Sequence, residues 1–347
     1  MRRLPIYFLI DISESMVGEP IEQVQEGIAT IIKELKTDPY ALETVWVSII
    51  GFAGKSKVIT PLQNVVTFYP PKIPIGSGTS LSNGLNELMN SIDREVTKTS
   101  YEQKGDWKPI VFLFTDGIPT DDTEKEIQRW NNNYKSKTIL VVISIGENTN
   151  YNLLGKISDN VLKFNNINSN AYKEFFKWIT ASIKATSENI NNTNIDGINL
   201  SKVNDDIIER IDVTKKHNLP DENFVVLNGK CSQTEKLYLI KFRKSSQNSF
   251  LPDFQTRIFR LDGAYKIDEI AYKEYSNDKD YALKISSDEL YGNPNCPCCG
   301  NQIGIAHCSC GGIHCISGDG EATCPWCGNL GYYGIGDGNF DINRTLG

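Results

Sequence analysis

Apolar residues run along this chain in two rhythms. Up to about residue 187, short unbroken apolar runs alternate with stretches in which apolar positions recur at helical spacing. The runs at 4–10, 44–52, 109–114 and 138–145 read as strands buried on both faces of a sheet. Between them, Ile21, Val24, Ile28, Ile31, Ile32 and Leu35 mark one helix, and Leu81, Leu85, Leu88, Met89, Ile92 and Val96 a second. Further helices are predicted near 121–134, at 153–157 and at 171–183, with a short strand at 161–164. The run at 58–62 carries Pro61, which assigns it to a sheet edge, and the tight Ala53-Gly54-Lys55 connection makes it antiparallel to its neighbour. Strands and helices alternating at this length predict an α/β fold: a doubly wound, mostly parallel sheet covered on both faces.

After 187 the pattern changes. Residues 188–204 are rich in Asn and poor in large apolar groups, which marks a linker between domains. From 205 to 292 the period shortens toward two, with strands expected at 224–227, 237–242, 257–261 and 281–285; this predicts a small β-rich domain. Residues 293–347, rich in Cys and Gly, form a third segment, and 1–187 is the first domain.

The first strand ends in Asp11-Ile12-Ser13-Glu14-Ser15. In open α/β sheets, ligands bind at the carboxyl ends of strands beside the point where the strand order reverses. Alternate residues of an extended segment point the same way, so Asp11, Ser13 and Ser15 can be gathered in one place. Two later loops supply more oxygen: Gly76-Ser77-Gly78-Thr79-Ser80 ahead of a helix, and Thr115-Asp116-Gly117 behind a strand. Asp11, Ser13, Ser15, Thr79 and Asp116 are hard donors suited to Mg²⁺, Mn²⁺ or Ca²⁺, and an acidic side chain from a partner suits the remaining position. Asp121 reads as the cap of the helix that follows it. These three motifs together resemble the von Willebrand factor A family and its metal-ion-dependent adhesion site, over roughly 1–187. The resemblance implies a cation-dependent protein-binding module.

The nine cysteines are absent before Cys231, and eight lie between Cys296 and Cys327. Cys296-Pro-Cys-Cys299-Gly and Cys324-Pro-Trp-Cys327-Gly are paired Cys-x-x-Cys turns, the signature of a closed tetrahedral Zn²⁺ site in a zinc ribbon whose hairpin is 303–306 and 313–316. Cys308, Cys310 and Cys315, with His307 and His314 nearby, form a candidate second zinc site; Cys298 is the weakest ligand candidate. Cys231 and His217 read as structural. The stretch from Leu227 through Cys231 to Lys241, the tail ending Cys324-Pro-Trp-Cys327, Arg2-Arg3-Leu4-Pro5 and Gly18-Glu19-Pro20-Ile21 together resemble TerY-type tellurium-resistance proteins of bacteria. That likeness implies a cytoplasmic, non-catalytic adaptor in tellurite or metal stress, working beside kinase or phosphatase partners.

Charge narrows the alternatives. A net charge of −7 disfavours general nucleic-acid binding, although Lys241, Arg243 and Lys244 offer a local basic face. No apolar run approaches the ~18 residues a transmembrane helix needs. A phosphatase of the haloacid-dehalogenase type would use Asp11 as nucleophile, but its acid/base Asp is replaced by Ser13. The first 216 residues contain no His and no Cys, which removes triad and thiolate chemistry from the first domain.

Overall fold

A computed structural model of the chain describes residues 2–116, 119–145, 151–164, 169–189, 208–210, 224–245, 258–276, 283–334 and 340–345. Contacts divide it into two compact units: Met1–Ile12, Glu19–Pro74 and Thr79–Pro220 in one, Ser13–Gly18, Ile75–Gly78 and Asp221–Gly347 in the other.

The first unit is built on β1 (Leu4–Asp11), buried at every position. It is followed by α1 (Glu19–Leu35), α2 (Pro39–Thr44), β2 (Val45–Phe52), β3 (Ser56–Asn64), α3 (Leu81–Glu95), β4 (Ile110–Thr115), α4 (Glu124–Asn133), β5 (Ile139–Ile145), α5 (Tyr151–Ile157), β6 (Asn160–Phe164), α6 (Ser169–Asn189) and β7 (Ile208–Arg210). The strands form one seven-stranded sheet in the order β3-β2-β1-β4-β5-β6-β7. β1 pairs in parallel with β2 on one side and β4 on the other, so the order reverses at β1. β3 is antiparallel to β2 and lies at the edge, and Pro61 falls where the register between the two strands shifts. α2 lacks an extended apolar pattern; Asp38 caps it by accepting from Ala41 N at 2.9 Å, with Pro39 in the first turn.

Both faces of the sheet are covered at its centre, which is why β1, β2, β4 and β5 are apolar runs rather than alternating. Tyr7, Leu9, Val111 and Leu113 pack with Leu85 and Leu88 of α3 and Trp130 of α4. On the other face Phe8 stacks on Phe112 at 5.8 Å and Phe114 on Phe176 of α6 at 6.0 Å. Gly27 lets α1 approach α6: a Cβ there would fall 2.0 Å from the Phe176 ring. Gly27→Val should therefore destabilise the protein by about 1–3 kcal/mol through overpacking, more than its gain in helix propensity returns. Thermal unfolding that does not fall in this variant would show that Phe176 moves aside freely.

The second unit carries β8 (Phe224–Lys230), β9 (Leu237–Lys244), β10 (Phe259–Lys266), α7 (Glu269–Tyr275), β11 (Leu283–Ser286), β12 (Leu290–Tyr291), β13 (Ile303–His307), β14 (Ile313–Ile316), β15 (Gly320–Thr323), β16 (Leu330–Tyr333) and β17 (Asp341–Arg344). Six of its strands form a sheet in the order β12-β10-β9-β8-β14-β13; β11–β17 and β15–β16 are separate two-stranded ladders. The segments expected as a β-rich domain (205–292) and a zinc-ribbon domain (293–347) thus share one sheet. The expected ribbon hairpin is β13–β14, and β14 satisfies the open edge of β8. β7, expected in the second domain, instead extends the first unit's sheet beside β6. The Asn-rich stretch 188–204 lies outside the described residues apart from its first two positions, which end α6. His217 and Gly117 also lie outside them.

Candidate metal centres

Where β1 meets β4, the Asp11 carboxylate accepts from Thr115 Oγ1 at 2.7 Å. Asp11 is fully buried, and Asp116 follows Thr115 at the same sheet edge, 7 % exposed. The Thr79 loop is fastened to the segment behind Asp116: Thr120 N donates to Thr79 O at 2.8 Å, and Thr79 N donates to Thr120 Oγ1 at 3.1 Å. Ser80 N donates to Ala53 O at 2.7 Å, which ties the same loop to the end of β2. Thr79 is 2 % exposed. Loops from three parts of the first unit are therefore held together by backbone and hydroxyl hydrogen bonds at the carboxyl edge of the sheet.

Asp121 does not cap α4 as expected. Its carboxylate accepts from Ser80 Oγ at 2.7 Å and Ser82 N at 3.1 Å, and also from Ser82 Oγ. It caps α3 from a different loop and so locks the Thr79 turn to the Asp116 segment. Helix α4 starts instead at Thr123, whose side chain makes no capping bond. Thr115 thus supports this edge without having been marked by any motif, and Thr120 and Asp121, the weaker ligand candidates in the sequence, support it as well.

Ser13 and Ser15 lie in the segment that follows Asp11 along the chain and belong to the second unit. Their hydroxyls are 3.0 Å apart, with Ser13 fully buried and Ser15 7 % exposed. Within the first unit, Asp11, Thr79 and Asp116 are buried oxygen-bearing side chains of the kind a hard divalent cation takes.

The cysteines are arranged differently from the expected pairing. Cys231, Cys296, Cys299 and Cys315 form one quartet; Cys308, Cys310, Cys324 and Cys327 form another, each with its sulfurs within 4.8 Å of one another. The two Cys-x-x-Cys turns are not brought together as expected: each falls in its own quartet. Of the residues assigned to the possible second site, Cys308 and Cys310 stay together, while Cys315 joins the first knuckle. Within the quartets Cys299 and Cys315 are 3.7 Å apart, Cys231 and Cys315 3.9 Å, and Cys308–Cys327 and Cys310–Cys324 3.8 Å each. Zn–S bonds of about 2.3 Å in a tetrahedron place sulfurs about 3.8 Å apart, so both quartets fit Zn²⁺ as they stand.

Cys231 is the ligand that sequence reasoning missed. Its turn nevertheless has the form of a zinc knuckle. Cys231 N donates to Lys236 O and Glu235 N to Cys231 O; the same two bonds, at the same offsets, close the turns at Cys296 and Cys324. Gly300 and Gly328 hold the left-handed position there with φ of +81° and +76°. In the Cys231 turn that position is Glu235, at φ 57°, a conformation that costs a non-glycine residue about 1 kcal/mol or more. The signal available in the sequence was a lone Cys in a six-residue turn between two apolar strands.

The thiols are held unequally. Burial pushes Cys231 up, but hydrogen bonds from Thr234 and the Gln233 backbone outweigh it and bring it down to about 6. Cys308 also falls to about 6, chiefly through the Cys310 backbone amide. Burial pushes Cys296 up. Cys310 rises to about 12: the Gly312 backbone favours its thiolate, and burial with the surrounding thiols overcomes that. Each quartet thus holds one thiol shifted toward its thiolate and two shifted the other way, and a bound Zn²⁺ would displace the protons that remain. Cys298 stands outside both quartets, partly buried. Neither histidine is in a quartet: His307 stacks on Phe340 at 4.7 Å, and His314 is buried edge-on to Tyr333 with Nδ1 at 3.2 Å from Cys315 O.

The proposed basic face does not form around Lys241. That side chain is 1 % exposed and turned inward, and Arg243 faces Asp262 at 3.8 Å.

The comparisons agree with this division of the chain. The model of the von Willebrand factor type A domain matches residues 6–178, and that of the TerY-C metal binding domain matches 221–347. The first unit is therefore a von Willebrand factor type A domain. Joined to a TerY-C metal-binding domain, it has the TerY-type architecture. Inter-alpha-trypsin inhibitor heavy chain H3 of Pongo abelii is 27 % identical over 161 residues; the match covers 43 % of this chain and 17 % of that one, so the chain spans under a fifth of that relative's length. Among solved structures, proximal thread matrix protein 1 from the mussel byssus is 16 % identical (TM-score 0.39, covering 52 % of this chain and 47 % of that one). A von Willebrand factor type A protein from Catenulispora acidiphila is 17 % identical (TM-score 0.39, covering 52 % and 42 %). The mussel protein has also been solved with zinc occupying its MIDAS motif (17 % identity, TM-score 0.38, covering 52 % and 47 %).

The regrouped quartets make a direct prediction. Cys231→Ser should lower bound zinc from two ions per chain to one by elemental analysis, and Cys324→Ser should remove the other. If the two Cys-x-x-Cys turns instead shared a single ion, Cys231→Ser would leave the zinc content unchanged.

Proposed function

We propose that this chain is a non-catalytic adaptor that captures a protein partner through a divalent cation held by Asp11, Ser13, Ser15, Thr79 and Asp116. Mg²⁺, Mn²⁺ or Ca²⁺ would take hydroxyl and carboxylate oxygens from these residues, and an acidic side chain of the partner would complete its shell. The observation that carries the reading is the fastening of the Asp11, Thr79 and Asp116 loops to one another at the carboxyl edge of the sheet, with their oxygens buried. The two cysteine quartets hold structural Zn²⁺, which stabilises the second unit rather than doing chemistry, because four sulfurs leave no open position.

TerY-type architecture supports a role in the cytoplasm of a bacterium responding to tellurite or metal stress, beside a kinase or phosphatase. None of the helices described is long and apolar enough to cross a membrane. The phosphatase alternative would need an acid/base group where Ser13 stands, and Ser13 is fully buried against Ser15. It predicts turnover of a generic aryl phosphate that depends on Asp11, and no such turnover is expected.

The test is a pull-down with the full chain, with and without EDTA. Partner capture should fall at least tenfold with chelator and in Asp11→Ala, while thermal unfolding and zinc content stay near wild type. Capture that survives in Asp11→Ala at wild-type strength would remove the cation from the mechanism.

A further inference from the structure

The second unit contains a short segment, Ser13–Gly18, that carries two of the candidate cation ligands. Lys241, in the middle of β9, is 1 % exposed; its Nζ donates to Ser15 O at 2.5 Å and lies 3.4 Å from Val17 O. The same ammonium sits 4.5 Å from the centre of the Phe224 ring and 3.9 Å from Asp262 Oδ2. Burying an ammonium is costly unless it is closely partnered. A Leu or Met would fill this place in the sheet without that cost. What the charge adds is a donor for two carbonyls in and just behind the 3-10 turn Glu14–Met16.

Two further contacts bear on the same segment. Tyr272 of α7 donates its hydroxyl to Glu14, the residue between the two serines, and Asn228 Nδ2 donates to that hydroxyl at 3.2 Å. Gly18, at φ +87°, lies so close to Tyr265 of β10 that a Cβ would fall 2.6 Å from its ring. Glu14 is thus drawn to α7 while the Ser13 and Ser15 hydroxyls remain facing each other at 3.0 Å.

We propose that Lys241, with Tyr272 beside it, is a positioning residue for the cation site: it fixes the backbone of the segment after Asp11 so that the Ser13 and Ser15 hydroxyls are preset as ligands. This deepens the cation-site reading and rests on it. Neither side chain touches the ion. Each acts through the segment it holds, by sparing the cation the cost of ordering that segment on binding.

The experiment uses the full, zinc-loaded chain and Mn²⁺ alone as the probe, followed by calorimetric titration, with hydrogen exchange read on the peptide covering Ser15 to Gly18. Lys241→Met should weaken Mn²⁺ binding at least tenfold and Tyr272→Phe several-fold, both with two zinc ions per chain retained. In the absence of Mn²⁺ the amides of the segment should exchange faster in both variants than in wild type. Tyr272→Phe, which removes one hydroxyl, carries the test if the buried Lys241→Met fails to fold. Affinity within twofold of wild type, together with unchanged exchange, overturns the proposal while leaving the cation site standing. Absence of Mn²⁺ binding to the wild-type chain, with Asp11→Ala indistinguishable from it, would sink the cation site itself and this proposal with it.

Discussion

The first unit depends on a single constraint: β1 is buried on both faces and paired on both edges, so a polar group can enter only at its end. Asp11 stands at that end, and its carboxylate is received by Thr115 at the end of β4. The reversal of strand order at β1 leaves a gap between the loops on either side, and only short loops tied to each other can keep it in shape. Thr120 and Asp121 provide those ties by holding the Thr79 turn from the neighbouring loop. The apolar strand and the polar edge are therefore two consequences of one arrangement: full burial drives polar chemistry to the margin and concentrates it there.

The second unit obeys a different constraint. Its longest strands, β8, β9 and β10, match those of the first unit, but its apolar clusters are smaller. The cysteine quartets bring their sulfurs together across the fold. One quartet draws on the β8–β9 turn, the first knuckle and β14, so a single ion would staple segments more than sixty residues apart in sequence. The other closes the Cys308 turn onto the second knuckle beside the β15–β16 ladder. The quartets follow the shared sheet: the Cys231 turn, set within the β-rich stretch, meets three cysteines of the cysteine-rich tail.

Much of the first unit was legible in the sequence because its signals are dense and local. The apolar run before Asp11, the Asp-x-Ser-x-Ser spacing, Pro61 at an edge and the helical periodicities each state their own structure. Pairing among the cysteines was not legible, because two identical Cys-x-x-Cys turns carry no mark of which other sulfurs they face. Cys231 was hidden for a sharper reason. Its turn lacks the second Cys and the Gly that advertise a knuckle, and Glu235 takes the strained left-handed position in their place. Asp121 was assigned to the nearer helix although it caps the farther one, a choice set by tertiary approach rather than sequence distance. The boundary at 292 failed because a change in composition was read as a change of domain, whereas β14 crosses it to pair with β8.

Lys241 shows where the rule that charges face water gives way. In the run Leu237-Tyr238-Leu239-Ile240-Lys241-Phe242, a lysine amid apolar residues looks like the solvent-facing member of a strand. The positions from Tyr238 to Phe242 are all buried, and alternation has no exposed face to assign it to. A cation retained under those conditions has to be matched by fixed oxygens, and those it meets belong to the segment bearing Ser13 and Ser15. The constraint then runs in both directions. The carbonyls of Ser15 and Val17 are needed to keep an ammonium inside the sheet, and the ammonium is needed to keep those carbonyls, and the serines between Asp11 and Gly18, in one conformation. A binding edge assembled from short loops gains its rigidity from such mutual requirements rather than from the loops' own sequence.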